Sequence, residues 1–362
     1  MANRSPGKSP NRRRVLRYLA AAGIPGTGLL SYLLVGDNRY YSGPISDHFD
    51  GVRFFNHSRA KPKGVTDLLR WNFVEPSAKW PKHFPSPFAD QPPAEVDADT
   101  VRVSHIGHAS FLIQTGGHAI LIDPVYADRA SPFSFAGPRR VNAPGIAFDA
   151  LPKIDTVIVT HNHYDHMDMP ALGRLWQQHQ PRFLTPLGND TLLRQGIPNV
   201  SVTAMDWHQH IQLSDRVRID AVPTQHWSAR GAFDRMHALW ASFILQLGAH
   251  RIYAVGDTGF GDGSIFRNVR TLFPDIDLAL LPIGAFEPRW MMRDQHMNPL
   301  EAVEALALCG AKRAIGHHWG TFQLTNESIE QPATALAAAL EERDLPPARF
   351  MPVQPGQVVT IA

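Results

Sequence analysis

Cysteine is almost missing from this chain: Cys309 is the only one in 362 residues. A single cysteine excludes an intramolecular disulfide and leaves the redox compartment open. Charge is also sparse, at 19% against 44% hydrophobic, which is the balance of a globular chain and excludes extended disorder as the default. Acids are absent before Asp37, whereas Arg4, Lys8, Arg12, Arg13, Arg14 and Arg17 all precede it. The formal net charge of +2 therefore belongs to the tail: taking its six cations from 35 leaves 29 basic residues against 33 acidic, or −4. No basic face remains to argue for a nucleic-acid partner. The length suits one large layered α/β domain with additions.

What is present divides the chain into three parts. Residues 1–17 are polar and basic, and Tyr18 to Val35 is an eighteen-residue run without charge. This reads as a targeting segment or an anchor. Arg12-Arg13-Arg14-Val15-Leu16-Arg17 resembles a twin-arginine export signal, with Gly23, Pro25, Gly26 and Gly28 diluting the run behind it. No small-x-small cleavage site follows Val35, so residues 1–36 are expected to be retained as an anchor or to act as an export signal. Either placement puts the folded domain in the cell envelope, outside the bacterial inner membrane. Residues 37–98 are rich in proline and aromatics, among them Phe54, Phe55, Trp71, Phe73, Trp80, Phe84 and Phe88. Too many large apolar groups occur here for a free linker, so the segment is expected to wrap onto the main domain.

Regular structure is expected over residues 99–362. An alternating run from Val101 through Gln114 turns at Gly116-Gly117 and resumes at Ala119–Ile122, a hairpin signature. Ile154–Thr160 is a β-branched buried strand. Further strands read at Arg182–Thr185, Ser201–Ala204, Val217–Val222, Ser242–Leu247, Arg251–Val255, Leu278–Pro282 and Ala314–Ile315. Helices read between Pro170 and Pro181, from an Asn298 cap to Gly310, and over Pro332–Arg343. Strands interleaved with few helices favour a layered sandwich over strict βαβ alternation.

The densest chemistry is His161-Asn162-His163-Tyr164-Asp165-His166, four potential metal ligands within six residues at a strand's end. One histidine alone is usually packed or solvated, but three with an aspartate at this spacing point to metal. His226, Asp257 and His318 each also stand where a strand gives way to a loop. Taken alone, Asp257 in Gly-Asp-Thr-Gly reads as a turn residue.

Gly107-His108-Ala109-Ser110, Leu121-Ile122-Asp123-Pro124, Thr160–Asp168, Gln225-His226-Trp227, Gly256-Asp257-Thr258-Gly259, Leu281–Trp290, Gln295-His296 and His318-Trp319-Gly320-Thr321-Phe322 follow one another along the chain. In these blocks, over about residues 99–325, it resembles a metallo-β-lactamase-fold hydrolase. Within that superfamily it resembles the N-acyl-phosphatidylethanolamine phospholipase D family and its bacterial relatives. The resemblance implies a four-layer αββα sandwich with an N-terminal extension. It implies two Zn²⁺, one on His161, His163 and His226, the other on Asp165, His166 and His318, with Asp257 bridging. It implies Asp165 and His296 as catalytic, and Tyr164, Gln295 and His296 as substrate contacts. His108 and Asp123 are expected to support ligands, His317 to be a decoy beside His318, and His208 and His210 to be structural. The implied activity is attack of a metal-bridging hydroxide on a glycerophospholipid diester, N-acylphosphatidylethanolamine or a relative, at a membrane surface, with homodimerisation open. Two alternatives stand: a lactonase or other ester hydrolase using the same two zinc ions, and a metal-binding envelope protein without turnover.

Overall fold

The computed structural model describes residues 37–58 and 63–362. The expected signal or anchor at residues 1–36 lies outside them, and no described helix is long and apolar enough to cross a membrane. β1 (Val101–Gly107), β2 (Ser110–Thr115), β3 (His118–Ile122), β4 (Thr156–Ile158), β5 (Arg182–Pro186) and β6 (Val202–Met205) build one sheet. The second holds β7 (His210–Ser214), β8 (Val217–Val222), β9 (Ser242–Leu247), β10 (His250–Ala254), β11 (Leu278–Pro282), β12 (Arg313–His317) and β13 (Phe350–Pro352). The last strand, β14 (Val358–Ile361), returns to pair antiparallel with β1, giving the orders β14-β1-β2-β3-β4-β5-β6 and β13-β12-β11-β10-β9-β8-β7. In each sheet an antiparallel half runs into a parallel half, β3 to β6 and β10 to β13.

Strand periodicity assigns the layers. Phe111, Ile113, Ile120 and Ile122 enter the core between the sheets, facing Phe243, Leu245, Ile252 and Leu280. Their alternates Leu112, Ala119 and Leu121 face α2 (Met169–His179) and α3 (Asn189–Gly196) through Leu172, Leu175 and Leu193. The outer face of the second sheet is covered by α4 (Ser264–Leu272), α6 (Pro299–Cys309) and α7 (Gln331–Glu341), through Phe266, Leu306 and Leu336. The result is the expected αββα order. α6 begins on the Asn298–Glu301 capping box and stops at Gly310, which takes a left-handed φ of 72°.

Several elements depart from the sequence reading. The run from Val101 to Gln114 is two strands, broken at Gly107-His108-Ala109, where Gly107 has φ 145° and His108 φ 56°. A side chain at Gly107 would stand 3.3 Å from the Arg140 guanidinium, so glycine lets the turn close over that residue. The Ile154–Thr160 strand contracts to Thr156–Ile158 because Val159 and Thr160 leave the ladder to deliver the histidines. β7, β13, β14, α1 (Val65–Phe73), α3, α4 and the short α5 (Arg289–Met292) were not anticipated. β7 buries none of its residues fully, so no apolar run marks it.

The 37–98 segment does wrap, though less completely than expected. Phe49 and Phe54 are fully buried in the intersheet core, each stabilising by about 1.5–3 kcal/mol. In α1, Leu68 and Trp71 pack on Met291 and Met292, and the Trp71 indole donates to Asn326 Oδ1 (3.0 Å). Trp80 donates to the Glu327 carbonyl (2.9 Å). Phe73 and Phe88 stay 64% and 45% exposed, however, against the expectation for every aromatic here. In α1 the buried face is already taken by Leu68 and Trp71, which leaves Phe73 on the opposite side.

His48 fastens the start of this segment, pairing with Asp47 Oδ1 (2.6 Å) and Asp206 Oδ1 (2.8 Å) and lying 4.5 Å from the Trp207 ring. Burial opposes its charge, but Asp206 and Asp47 outweigh that and raise its pKa. A raised histidine pKa gives stability that is complete below the unfolded value, about 6.5, and fades as pH rises through the folded one. The melting-temperature gap between wild type and His48→Gln should thus be widest near pH 6 and narrow towards pH 9. A pH-independent gap would limit His48 to packing.

Candidate metal centre

The donors collect because strands that point the same way within each sheet deliver their loops to one edge, β8 doing so from the antiparallel half. β4 leads into His161–His166, β8 into His226, β10 into Asp257 and β12 into His318. Ligand sites form at such carboxyl ends because each strand hands over to a loop there. The loop after β4 is tied to β3 through Asp123, whose Oδ1 accepts from Thr160 N (2.7 Å) and whose Oδ2 accepts from Thr160 Oγ1 (2.7 Å).

Two donor sets result. In the first, His163 Nδ1 stands 2.9 Å from His161 Nε2 and 3.2 Å from His226 Nε2. In the second, Asp165 Oδ2 lies 3.3 Å from His318 Nε2 and 3.6 Å from His166 Nε2. Asp257 Oδ2 lies between the sets: 3.1 Å from His318 Nε2, 3.3 Å from His166 Nε2, 3.6 Å from His226 Nε2 and 3.9 Å from His161 Nε2. Ligands bound at about 2.0–2.1 Å in a tetrahedron stand about 3.3 Å apart, and these separations bracket that value. Three imidazole nitrogens converging on one point cannot all hydrogen-bond one another. Buried, unpartnered atoms remain: His166 Nε2, His318 Nε2 and Asp257 Oδ1. A donor set of nitrogen and oxygen with such orphans fits borderline divalent cations.

The far nitrogen of three rings is engaged, which turns Nε2 towards the centre. His166 Nδ1 meets Asp123 Oδ2 (2.7 Å), His161 Nδ1 meets Thr160 Oγ1 (3.0 Å) and His226 Nδ1 meets the Gln295 carbonyl (3.0 Å). Such contacts fix tautomer and ring angle. His108 does this for the second set: its Nε2 holds Asp165 Oδ2 (2.9 Å), and its carbonyl accepts from His318 N (2.9 Å).

Electrostatics separate the sets in the same way. Burial pushes His161 well below the ordinary histidine value and His163 and His226 down to about 3, keeping all three in the neutral form that binds metal. Burial opposes ionisation of Asp257 and Asp165, yet the neighbouring histidines, His318 and His166 for the former and His166 and His108 for the latter, hold both well below the carboxylate range. Burial likewise opposes charge on His166 and His318, but Asp257 and Asp165 overcome it, raising the first well above 6.5 and the second to about 9. The second set gathers positive charge, and a cation arriving there would displace protons.

The remaining expected residues fall differently. His296 Nδ1 is buried, unpartnered and 4.0 Å from Asp257 Oδ2. Gln295 reaches the site through its carbonyl, its side chain turning to the Met292 sulfur. The Tyr164 hydroxyl donates to the Arg230 carbonyl (2.9 Å), and Arg230 lies over its ring. His317 packs against Phe111, while His208 is exposed and His210 lies on exposed β7. Thr160 and Arg230 were not singled out. Arg230 braces the motif by donating to the Asn162 and Met167 carbonyls (both 2.9 Å), a role no spacing signals. Trp227 was quoted only within a block, yet its ring stands 4.4 Å from that of His163.

Comparison with known proteins identifies the family. Residues 118–319 match the family described as the β-lactamase superfamily domain. An N-acyl-phosphatidylethanolamine-hydrolyzing phospholipase D of Caenorhabditis elegans is 37% identical over 263 residues, covering 70% of this chain and 74% of that protein. A metal-dependent hydrolase of Pyrobaculum arsenaticum is 27% identical over 267 residues, covering 72% of this chain and all of the other. Among solved structures, a metallo hydrolase from Ignicoccus hospitalis shares the fold at a TM-score of 0.55 and 20% identity, covering 73% of this chain and 99% of that one.

Proposed function

This chain belongs to the β-lactamase superfamily and is a metal-dependent hydrolase, and from that premise we propose that it is a zinc-dependent phosphodiesterase of phospholipase D type. Its substrate would be N-acylphosphatidylethanolamine or a related glycerophospholipid. The observation that carries this reading is the 37% identity to the nematode phospholipase D over 70% of the chain.

His161, His163 and His226 would hold one ion and Asp165, His166 and His318 the other, with Asp257 reaching both. Such a pair supplies, when bound, Lewis-acid activation of water and a clamp on phosphate oxygens. The chain's own residues do the rest. Two ionised aspartates against two divalent ions leave a net positive centre that draws a phosphodiester anion. Asp165, steadied by His108, orients the attacking water and takes up its hydrogen bond. His296 Nδ1, buried without a partner and facing Asp257, is placed to donate to a phosphate or leaving-group oxygen. Burial of His161, His166, Asp257 and His318 at 3% exposure or less strengthens each of these interactions. Residues 1–36 would hold the enzyme at a membrane, where such a lipid resides.

The test is turnover by zinc-loaded protein on N-acylphosphatidylethanolamine and, in parallel, on acylated lactones. Phosphatidic acid is the expected product. Lactone opening without phosphatidic acid would transfer the assignment to the ester-hydrolase alternative, and two bound metals without turnover of any ester would favour the binding protein.

A further inference from the structure

Arg235 stands out among the cations near the metal centre because nothing in the protein neutralises it. Arg230 donates to two carbonyls, Arg289 pairs with Glu301 (2.7 Å), and Lys63 lies 3.6 Å from Asp294. Asp234, next to Arg235 in the chain, is turned away to Tyr40 Oη (2.7 Å) and the backbone of Gly231 (2.8 Å). Among the described residues no carboxylate lies within ion-pair reach of Arg235, and the one charged group it feels is another cation, Arg53. Residues 1–36 and 59–62 contain no Asp or Glu to supply one.

Its position is defined by one aromatic ring. The guanidinium lies 3.9 Å over Trp227, and Trp227 stands 4.4 Å from His163, a donor of the first metal set. His163, Trp227 and Arg235 are each only partly buried, so they form the open side of a centre whose other donors are covered. The indole N–H of Trp227 is itself buried and has no acceptor. A partly desolvated cation and an unsatisfied donor in one stack are both costly until an anion arrives, and the ring face compensates the cation only in part. Burial and Arg53 together lower the Arg235 pKa to about 10, which still leaves it charged at neutral pH.

We propose that Arg235 on Trp227 is a recognition point for a second oxyanion of the substrate, a carboxylate or phosphate separate from the scissile diester. Arg235 and His163 border the same indole, at 3.9 Å and 4.4 Å, and Arg235 belongs to neither donor set, so the oxyanion it takes would be one the metal ligands do not hold. Resting on the phosphodiesterase reading, this ranks related glycerophospholipids that carry an additional negative group beside the diester above N-acylphosphatidylethanolamine itself, which has none. Phosphatidylethanolamine derivatives lacking such a group would be the poorer substrates.

The test separates this subsite from the activity. Binding of 3-phosphonopropanoate and of ethylphosphonate, which lacks the carboxylate, is measured by calorimetry on metal-loaded protein. Wild type should prefer the probe that carries both oxyanions about tenfold, the worth of one charge-assisted contact. Arg235→Gln should bring that ratio to about one, and Arg235→Lys should keep part of it, with metal content the same in all three. Repeating the comparison with a bisphosphonate in place of the carboxylate tells which oxyanion is preferred. Equal affinities in wild type, or a preference that survives Arg235→Gln, would overturn the subsite. A preference in binding without any phosphodiester turnover would keep the subsite and discard the phospholipase reading. Turnover of N-acylphosphatidylethanolamine and N-acylphosphatidylserine at equal kcat/KM would do the reverse.

Discussion

Asp257→Ala is expected to abolish tight binding of both metals and to lower turnover by at least about three orders of magnitude, roughly 4 kcal/mol of barrier. Its Oδ2 lies within 3.9 Å of Nε2 on His161, His166, His226 and His318, two from each set. Two divalent ions about 4 Å apart repel by about 16 kcal/mol at an effective dielectric of 20. A carboxylate within reach of both donor sets, as Asp257 is, would offset that repulsion. Without it His166 and His318 also lose the charge that draws cations to their side. Asp257→Asn keeps the shape and drops the charge, so it should retain one ion weakly. Metal analysis after dialysis decides the matter: two zinc ions kept by Asp257→Ala would refute the bridging assignment. Circular dichroism guards against a misfolded variant.

Asp123→Asn should have the next largest effect and a different signature. Asp123 touches no centre atom directly, but its two oxygens serve Thr160 N, Thr160 Oγ1 and His166 Nδ1, all at 2.7 Å and fully buried. An amide can accept at only one end, so either the histidine or the threonine meets a donor where it had an acceptor. Ligand affinity should fall about 10- to 100-fold, on the His166 side first. Stability should fall by about 2–4 kcal/mol, several degrees in melting temperature. Near one metal per chain, with a lowered melting point, is the expected outcome. Two metals at wild-type affinity would show that His166 is aimed by something else.

Legibility in the sequence followed locality. His161 to His166 could be read because six consecutive residues carry the pattern, whereas His226, Asp257 and His318 could only be nominated as strand-end residues, their grouping coming from the family resemblance. The layered sandwich could be read from the same runs. Where the signal failed, the determinant was not local. β14 exists because β1 offers it an edge more than two hundred residues away. β7 and α1 are short and each rests on two apolar residues, Ile211 and Leu213 in the strand and Leu68 and Trp71 in the helix, too few to stand out in the sequence. The break at His108 depends on Arg140, which sits beneath Gly107. Gln295 acts through a main-chain carbonyl, which any residue could supply. Arg235 carries no sequence signal, because its distance from every acidic side chain is set by the fold.

Each donor set draws from both sheets. His161 and His163 hang from β4 and meet His226 from β8, while Asp165 and His166 meet His318 from β12. Every ion bound there would be a staple between two halves that otherwise meet at this edge through apolar packing and a few hydrogen bonds, such as His318 N to the His108 carbonyl and Arg230 to the Asn162 carbonyl. Occupancy then enters the folding equilibrium by mass action, worth about 4 kcal/mol per site when free metal exceeds the dissociation constant a thousandfold. How firmly the sandwich closes would thus be set partly from outside the polypeptide, by the supply of the metal.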